Sequence, residues 1–208
     1  MKLALCFYGR IDMHDYILYE KSFDTFKENV IRNNDCDIFM HGWDDKGINK
    51  NKILNLVKPK EFKIEKITES NNIKSRWLSH KKVLDMLYDT NYEYDFIFIS
   101  RLDLYFKTSF NFESYSTGQL YIENWSPDEI KRKDIVKKCG LADLWFFGCQ
   151  KIIKQIKNIY DDIDKLQNYI KNSNHLIIYN FLIDNNINYI LIRNIIKDTN
   201  LTRRITKY

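Results

Sequence analysis

Glycine, proline and cysteine are scarce in this sequence. Among its 208 residues there are 6 glycines, 2 prolines and 4 cysteines. No glycine- or proline-rich stretch divides the chain, so we expect one domain over residues 1–208. The cysteines form no C-x-x-C pair, which argues against a zinc site, and we expect Cys6 and Cys149 to be buried free thiols. With no disulfide framework indicated, a reducing compartment is favoured and we expect a cytoplasmic location.

Several common signatures are also absent. The sequence contains neither G-x-G-x-x-G nor G-x-x-x-x-G-K-[ST], so it lacks the fingerprints of a Rossmann dinucleotide site and of a P-loop. No apolar run is long enough to span a bilayer, and no leader pattern precedes the first predicted strand. We therefore expect no transmembrane segment and no signal peptide.

The charge pattern gives little reason to expect a nucleic-acid partner. The formal net charge is +5, from 33 basic and 28 acidic residues. Basic residues alternate with acidic ones and form no long block. Hydrophobic residues make up 44% of the chain, enough for a folded domain with a sizeable core.

Hydrophobic periodicity predicts alternating strands and helices. In the first half we expect strands over 3–8, 37–41, 61–67 and 96–100, with helices over 15–32 and 75–88. In the second half we expect strands over 119–122, 143–147 and 188–192, with helices over 151–169 and 174–185. This alternation predicts an α/β fold with a mostly parallel central sheet and helices on both faces.

The segment 94–106 is the most informative in the chain. Its apolar residues 96–100 are typical of a strand buried on both faces, and Arg101-x-Asp103 follows at once. Ligands of open α/β sheets bind beyond the carboxyl ends of the strands. Arg101 suits a phosphate, and Asp103 suits a divalent cation that bridges two phosphates. The alternative is a structural Arg101–Asp103 pair that closes the strand.

Other polar residues follow or flank the predicted strands. Gly9 and Arg10 end the first strand, where the backbone and a cation can approach a base or phosphate; the alternative is a plain turn. Asp44 follows the second strand and suits ribose or base recognition; the alternatives are helix capping and a solvated loop charge. Arg76 and Lys81 lie on the helix before 96–100, within possible reach of a diphosphate, or else on a solvated face.

The second half offers two further candidates. Asp143 precedes an aromatic strand and is a candidate general base for a hydroxyl nucleophile; the alternative is a capping or strand-edge carboxylate. His175 begins a predicted helix and is a candidate metal ligand, or else a capping or surface histidine.

In order, segments 4–10, 37–44, 58–60, 94–106 and 143–148 resemble glycosyltransferases of the GT-A type. More narrowly, they resemble the small nucleotide-sugar transferases of bacterial surface-polysaccharide clusters and of large DNA viruses that glycosylate their capsids. The resemblance implies a Rossmann-like nucleotide-sugar-binding half over 1–106, with Tyr8 beside Gly9 and Arg10 at the donor, and an acceptor half over 107–208. It also implies Mn²⁺ or Mg²⁺ at the Asp-x-Asp position, where Asp103 remains; His175 is a candidate further ligand from its own position in the sequence. Arg101 stands where the family has the first Asp of its Asp-x-Asp motif.

These observations together predict a glycosyltransferase. It would move a sugar from a UDP- or GDP-sugar to a hydroxyl of a glycan or glycoprotein, with inversion if Asp143 is the base. Arg101, Asp103 with its metal, and Arg10 would stabilise the leaving diphosphate. The alternatives are a nucleotidyltransferase or hydrolase at the same site, and a non-catalytic module that binds sugar nucleotides or a protein. Catalysis requires Asp103 and Asp143 to face one pocket, whereas binding does not.

Overall fold

A computed structural model of the chain describes residues 1–47, 49–124, 136–169, 173–194 and 199–201. Its strands are β1 (Lys2–Arg10), β2 (Asp35–Trp43), β3 (Glu61–Glu65), β4 (Phe96–Ser100), β5 (Leu104–Phe106), β6 (Leu120–Asn124), β7 (Trp145–Gly148), β8 (Tyr189–Asn194) and β9 (Thr199–Leu201). Its main helices are α1 (Tyr16–Phe26), α2 (Lys50–Val57), α3 (Asn72–Asp89), α4 (Gln150–Ile156), α5 (Ile163–Tyr169) and α6 (Asn174–Asp184). A π-helical turn, Lys27–Ile31, extends α1, and short 3₁₀ turns lie at Phe112–Ser114 and Lys157–Tyr160.

Within the described residues, seven strands form one sheet in the order β3-β2-β1-β4-β7-β6-β8. β3, β2, β1 and β4 are parallel, as are β6 and β8, whereas β7 is antiparallel to both β4 and β6. Strands β5 and β9 pair separately. The expectation of a mostly parallel α/β sheet is confirmed. The reversed strand β7 was not anticipated, because its residues are apolar on both faces like those of a parallel strand.

The sheet separates two hydrophobic cores, as helices on both faces require. Alternate residues of β1 serve opposite cores, Ala4 and Cys6 on one side and Leu5 and Phe7 on the other. The first core also holds apolar residues of α3, α4 and α6, and the second those of α1 and α2. Burying both faces explains why β1 and β4 are continuous apolar runs, and it makes their carboxyl ends the natural place for polar side chains.

The predicted elements are recovered with shifts of a few residues at most, except for one helix. The helix predicted over 151–169 is interrupted by the Lys157–Tyr160 turn, and Asp161 and Asp162 separate it from α5. Aspartate favours caps over helix interiors, which accounts for this break. The apolar residues after Asp103 form β5 outside the main sheet. Cys6 is buried as expected, but Cys149 is only partly buried.

Helix α3 supplies the side chains that face the ends of β1 and β4. The Asn71 side chain caps it by accepting hydrogen bonds from the backbone nitrogens of Ile73 (2.8 Å) and Lys74 (3.3 Å). Trp77 anchors the helix in the first core with no exposed surface. No helix among the described residues is long and apolar enough to cross a membrane.

Candidate anion-binding site

A cleft of ≈ 280 Å³ opens at the carboxyl ends of β1 and β4. These strands are parallel neighbours, with Phe7 in register with Ser100, so the residues that follow them emerge side by side. The cleft is lined by Tyr8, Gly9, Arg10, Met13, Asn72, Ser75, Arg76, Arg101, Leu102, Asp103 and Asn174. Of the residues predicted to bind the donor, the structure therefore brings together Tyr8, Gly9, Arg10, Arg76, Arg101 and Asp103.

Gly9 lies near the end of β1, in a backbone conformation that suits glycine. Its φ of 111° lies in the region that side chains other than glycine disfavour. Its backbone nitrogen donates to the Ser79 hydroxyl at 2.8 Å, and that hydroxyl lies 2.7 Å from Nδ1 of His41. Burial lowers the pKa of His41 to about 3, so this ring is neutral at neutral pH. The contacts from Gly9 to Ser79 and from Ser79 to His41 therefore hold the backbone at the end of β1 in place.

Arg101 and Asp103 are bonded to each other and both line the cleft. Arg101 Nε donates to Asp103 Oδ1 at 2.8 Å and Nη2 donates to Oδ2 at 2.5 Å. Nε2 of His14 lies 3.3 Å from the same Oδ2. Burial alone would raise the pKa of the Asp103 carboxyl, but the charge of Arg101 and the contact with His14 hold it below its ordinary value. Asp103 is therefore ionised and forms a bidentate ion pair with Arg101.

Arg10 and Asp12 form a second pair of the same kind after β1. Arg10 Nε donates to Asp12 Oδ1 and Nη2 donates to Oδ2, each at 2.9 Å. The Asp12 side chain has no exposed surface, and it also accepts a hydrogen bond from the Asp45 backbone nitrogen at 3.2 Å. The bond to Asp12 raises the pKa of Arg10. Asp12 was not singled out in the sequence, although its Arg-x-Asp spacing repeats that of Arg101 and Asp103.

Arg76 is the third cation of the cleft. Its Nη1 lies 2.6 Å from Asp143 Oδ2, and its Nη2 donates to the Tyr8 hydroxyl at 3.1 Å and to the Asp143 carbonyl. Burial alone would lower the pKa of Arg76, but the Asp143 carboxylate outweighs it and raises the pKa above its ordinary value. Of the two cations singled out on α3, Arg76 lines the cleft.

The Asp143 carboxylate does not reach the cleft. Its side chain has no exposed surface, with Arg76 against Oδ2 and His175 Nδ1 2.9 Å from Oδ1. A general base must come within hydrogen-bond reach of the hydroxyl it deprotonates. Asp103 lines the cleft and Asp143 does not, so the two carboxylates do not face one pocket here. In this arrangement the Asp143 carboxylate positions Arg76, and an acceptor hydroxyl in the cleft cannot reach it.

Two other predicted site residues lie elsewhere among the described residues. Lys81 does not line the cleft, because its Nζ pairs with Asp161 at 2.5 Å on the outer surface. Asp44 Oδ1 accepts a hydrogen bond from the Gly47 nitrogen at 2.8 Å within the loop after β2, and it caps none of the described helices. Lys81 and Asp44 lie away from the cleft because of the directions in which their side chains point, and the sequence alone does not reveal those directions.

The side chains of the site do not fit a resident Mn²⁺ or Mg²⁺. Hard cations take several oxygen ligands, and the described part of the chain has no group of three or more His, Cys, Asp or Glu residues able to hold one. Both oxygens of Asp103 face the Arg101 guanidinium, whose charge would repel a metal. His175, the other predicted ligand, contacts Asp143 instead.

Gly140 holds the loop before β7 against α6. It has a φ of 83°, and a Cβ at this position would lie 2.1 Å from the carbonyl oxygen of His175. We expect Gly140→Ala to lower the free energy of unfolding by about 2 kcal/mol, because the left-handed backbone and the overlap both oppose a side chain. Denaturant unfolding measures this loss. Gly118→Ala is the matched control, since the nearest atom is 3.7 Å from its Cβ; equal effects in the two variants would contradict the prediction.

A search against models of known protein families gave no match for this chain, and neither did a search of curated proteins. The architecture of the cleft and the chemistry of its side chains therefore carry the functional argument.

Proposed function

We propose that the protein is a glycosyltransferase that uses a nucleotide-diphosphate sugar as donor. The observation that carries this proposal is the convergence of Arg10, Arg76 and Arg101 on one cleft at the carboxyl edge of parallel strands. Arginine presents planar pairs of donors that match phosphate oxygens. The carboxyl edge of an open α/β sheet is also where such folds bind nucleotides.

The cleft's size and composition support a division between donor and acceptor. At ≈ 280 Å³ it is slightly smaller than pockets that enclose a whole drug-sized ligand, so it suits a diphosphate with adjoining groups. All its lining residues come from 1–106 except Asn174, at the start of α6. This distribution agrees with a donor over the first half and an acceptor approaching from the second.

In the proposed reaction the arginines stabilise the charge that grows on the leaving diphosphate. Donors fixed in advance by Asp12, Asp103 and Asp143 need little reorganisation as that charge develops. Asp143 enters this scheme as the group that positions Arg76. The preference for inversion depended on Asp143 acting as a base, and this geometry lends it no support.

A non-catalytic module that binds nucleotide sugars is the second candidate. One observation favours it: the carboxylates of Asp12, Asp103 and Asp143 are each engaged by an arginine. Proton transfer from an acceptor needs a group with access to it. A module of this kind would bind the donor without turnover.

Incubation with UDP- and GDP-sugars, with and without a panel of sugar acceptors, tests the proposal. Transferase activity predicts release of nucleoside diphosphate that rises with a matching acceptor, and thermal stabilisation by the donor of about 2.7 kcal/mol at 100 times its Kd. Stabilisation without release with any acceptor would instead indicate a binding module. Release of nucleoside monophosphate and sugar phosphate would indicate a hydrolase, whereas formation of nucleoside triphosphate when pyrophosphate is added would indicate a nucleotidyltransferase.

A further inference from the structure

The turns after β1 and β4 carry the same three-residue unit. Arg10-Ile11-Asp12 and Arg101-Leu102-Asp103 each place an arginine and an aspartate on either side of a buried aliphatic residue. In both units Nε donates to Oδ1 and Nη2 donates to Oδ2. Strands β1 and β4 are hydrogen-bonded neighbours, and Arg10 and Arg101 both line the cleft at their carboxyl ends.

In each unit the arginine side chain is more exposed than the aspartate that it holds. The Arg10 and Arg101 side chains are 33% and 22% exposed, whereas those of Asp12 and Asp103 are 0% and 7% exposed. Each aspartate occupies the Nε–Nη2 edge of its arginine, and among the described residues neither Nη1 has a hydrogen-bond or ion-pair partner. Arg10 Nη2 also lies 3.6 Å from Asp45 Oδ2, so the donors left for an anion are the two Nη1 groups and the second hydrogen of Arg101 Nη2.

This arrangement differs from a site in which aspartates hold a divalent cation between two phosphates. A metal at Asp103 or at Asp12 would lie beside a guanidinium that bonds both carboxylate oxygens, and the two positive charges would repel each other. Two fixed guanidinium groups can take the place of that cation, because each can donate hydrogen bonds to one phosphoryl group and offset its negative charge.

We propose that Arg10 and Arg101 form a two-arginine clamp that binds a diphosphate without a divalent cation. The proposed transferase function enters only in identifying that diphosphate as part of the sugar donor. Asp12 and Asp103 are positioning residues that orient the clamp. The clamp's natural ligand class is a pyrophosphate ester, with one arginine for each phosphoryl group.

Titration calorimetry with inorganic pyrophosphate tests the clamp. The protein is titrated once in EDTA and once with excess Mg²⁺. We expect binding in EDTA at an affinity no weaker than with Mg²⁺. Arg10→Gln and Arg101→Gln should each weaken it about tenfold or more, since a hydrogen bond to a charged group is lost. The Lys variants should fall between, because lysine keeps the charge and loses the fork. Arg32→Gln is the control, removing an arginine that is 70% exposed on the surface.

Each other outcome overturns the clamp. Binding that requires Mg²⁺ would restore a metal site, and binding in EDTA that is equal in the Arg10→Gln, Arg101→Gln and wild-type proteins would place the anion elsewhere. Absence of pyrophosphate binding under both conditions would also reject it. Thermal melts identify any variant that fails to fold, and the Lys variants then carry the test. Metal-dependent turnover of a sugar nucleotide would reject the clamp and keep the transferase, whereas pyrophosphate binding without turnover would do the reverse.

Discussion

Asp143→Asn is expected to lower the free energy of unfolding by about 3–5 kcal/mol, the usual effect of removing one partner of a buried ion pair. The Asp143 side chain has no exposed surface and lies 2.6 Å from Arg76 Nη1 and 2.9 Å from His175 Nδ1. The amide has nearly the same shape but no charge, so the largely buried Arg76 guanidinium would keep its desolvation without its counter-ion. Urea unfolding at neutral pH measures the loss.

Two controls separate the ion pair from general damage. Asp164→Asn removes an exposed partner of Lys74 and should change stability by less than about 1 kcal/mol. Arg76→Met combined with Asp143→Leu removes both charges and should be more stable than Asp143→Asn alone. If Asp143→Asn unfolds like wild type while turnover of a sugar nucleotide is lost, Asp143 acts in chemistry, as the sequence predicted.

The same variant should change the response to acid. Arg76 and His175 outweigh burial and hold the pKa of Asp143 below its ordinary value, so its contribution is present above the unfolded-state pKa of about 3.9. That contribution is lost as pH falls from there through the lower folded-state pKa. Wild type should therefore lose stability more steeply in acid than Asp143→Asn. Parallel curves would contradict the ion-pair assignment.

The second large effect is expected at Arg101. Arg101→Gln should weaken binding of UDP and GDP by about 10- to 150-fold, the range that corresponds to losing a hydrogen bond to a charged group. Arg101→Lys should be weakened less, because it keeps the positive charge without the bidentate fork. Titration of each nucleotide into wild type and variants measures this loss.

The melting temperatures of the Arg101 variants distinguish a role of Arg101 in nucleotide binding from a role in stabilising the fold. Replacing Arg101 also leaves the carboxylate of Asp103 without its guanidinium, so some loss of melting temperature accompanies any loss of affinity. Arg32→Gln should change neither quantity appreciably. A lower melting temperature with unchanged affinity per folded molecule would mean that Arg101 only braces the end of β4.

The sequence by itself determined much of the architecture. Apolar runs located β1, β2 and β4, since strands buried on both faces need continuous apolar residues. Helical spacing likewise located α1, α3 and α6. The polar residues just after β1 and β4 were correctly assigned to one edge of the sheet, because parallel neighbouring strands end together. Arg10, Arg101 and Asp103 were therefore predictable members of one cleft.

Tertiary structure alone decided how the charges pair. Arg76 and Asp143 are 67 residues apart, and the packing of α3 against the loop before β7 brings them together. Lys81, five residues after Arg76 on the same helix, points instead to Asp161. The direction of β7 was also hidden, since an antiparallel strand inside a buried sheet has the same apolar composition as a parallel one. Periodicity and propensity report local preferences, whereas the partner of a buried charge is selected by the folded chain as a whole, which must neutralise every charge that it removes from water.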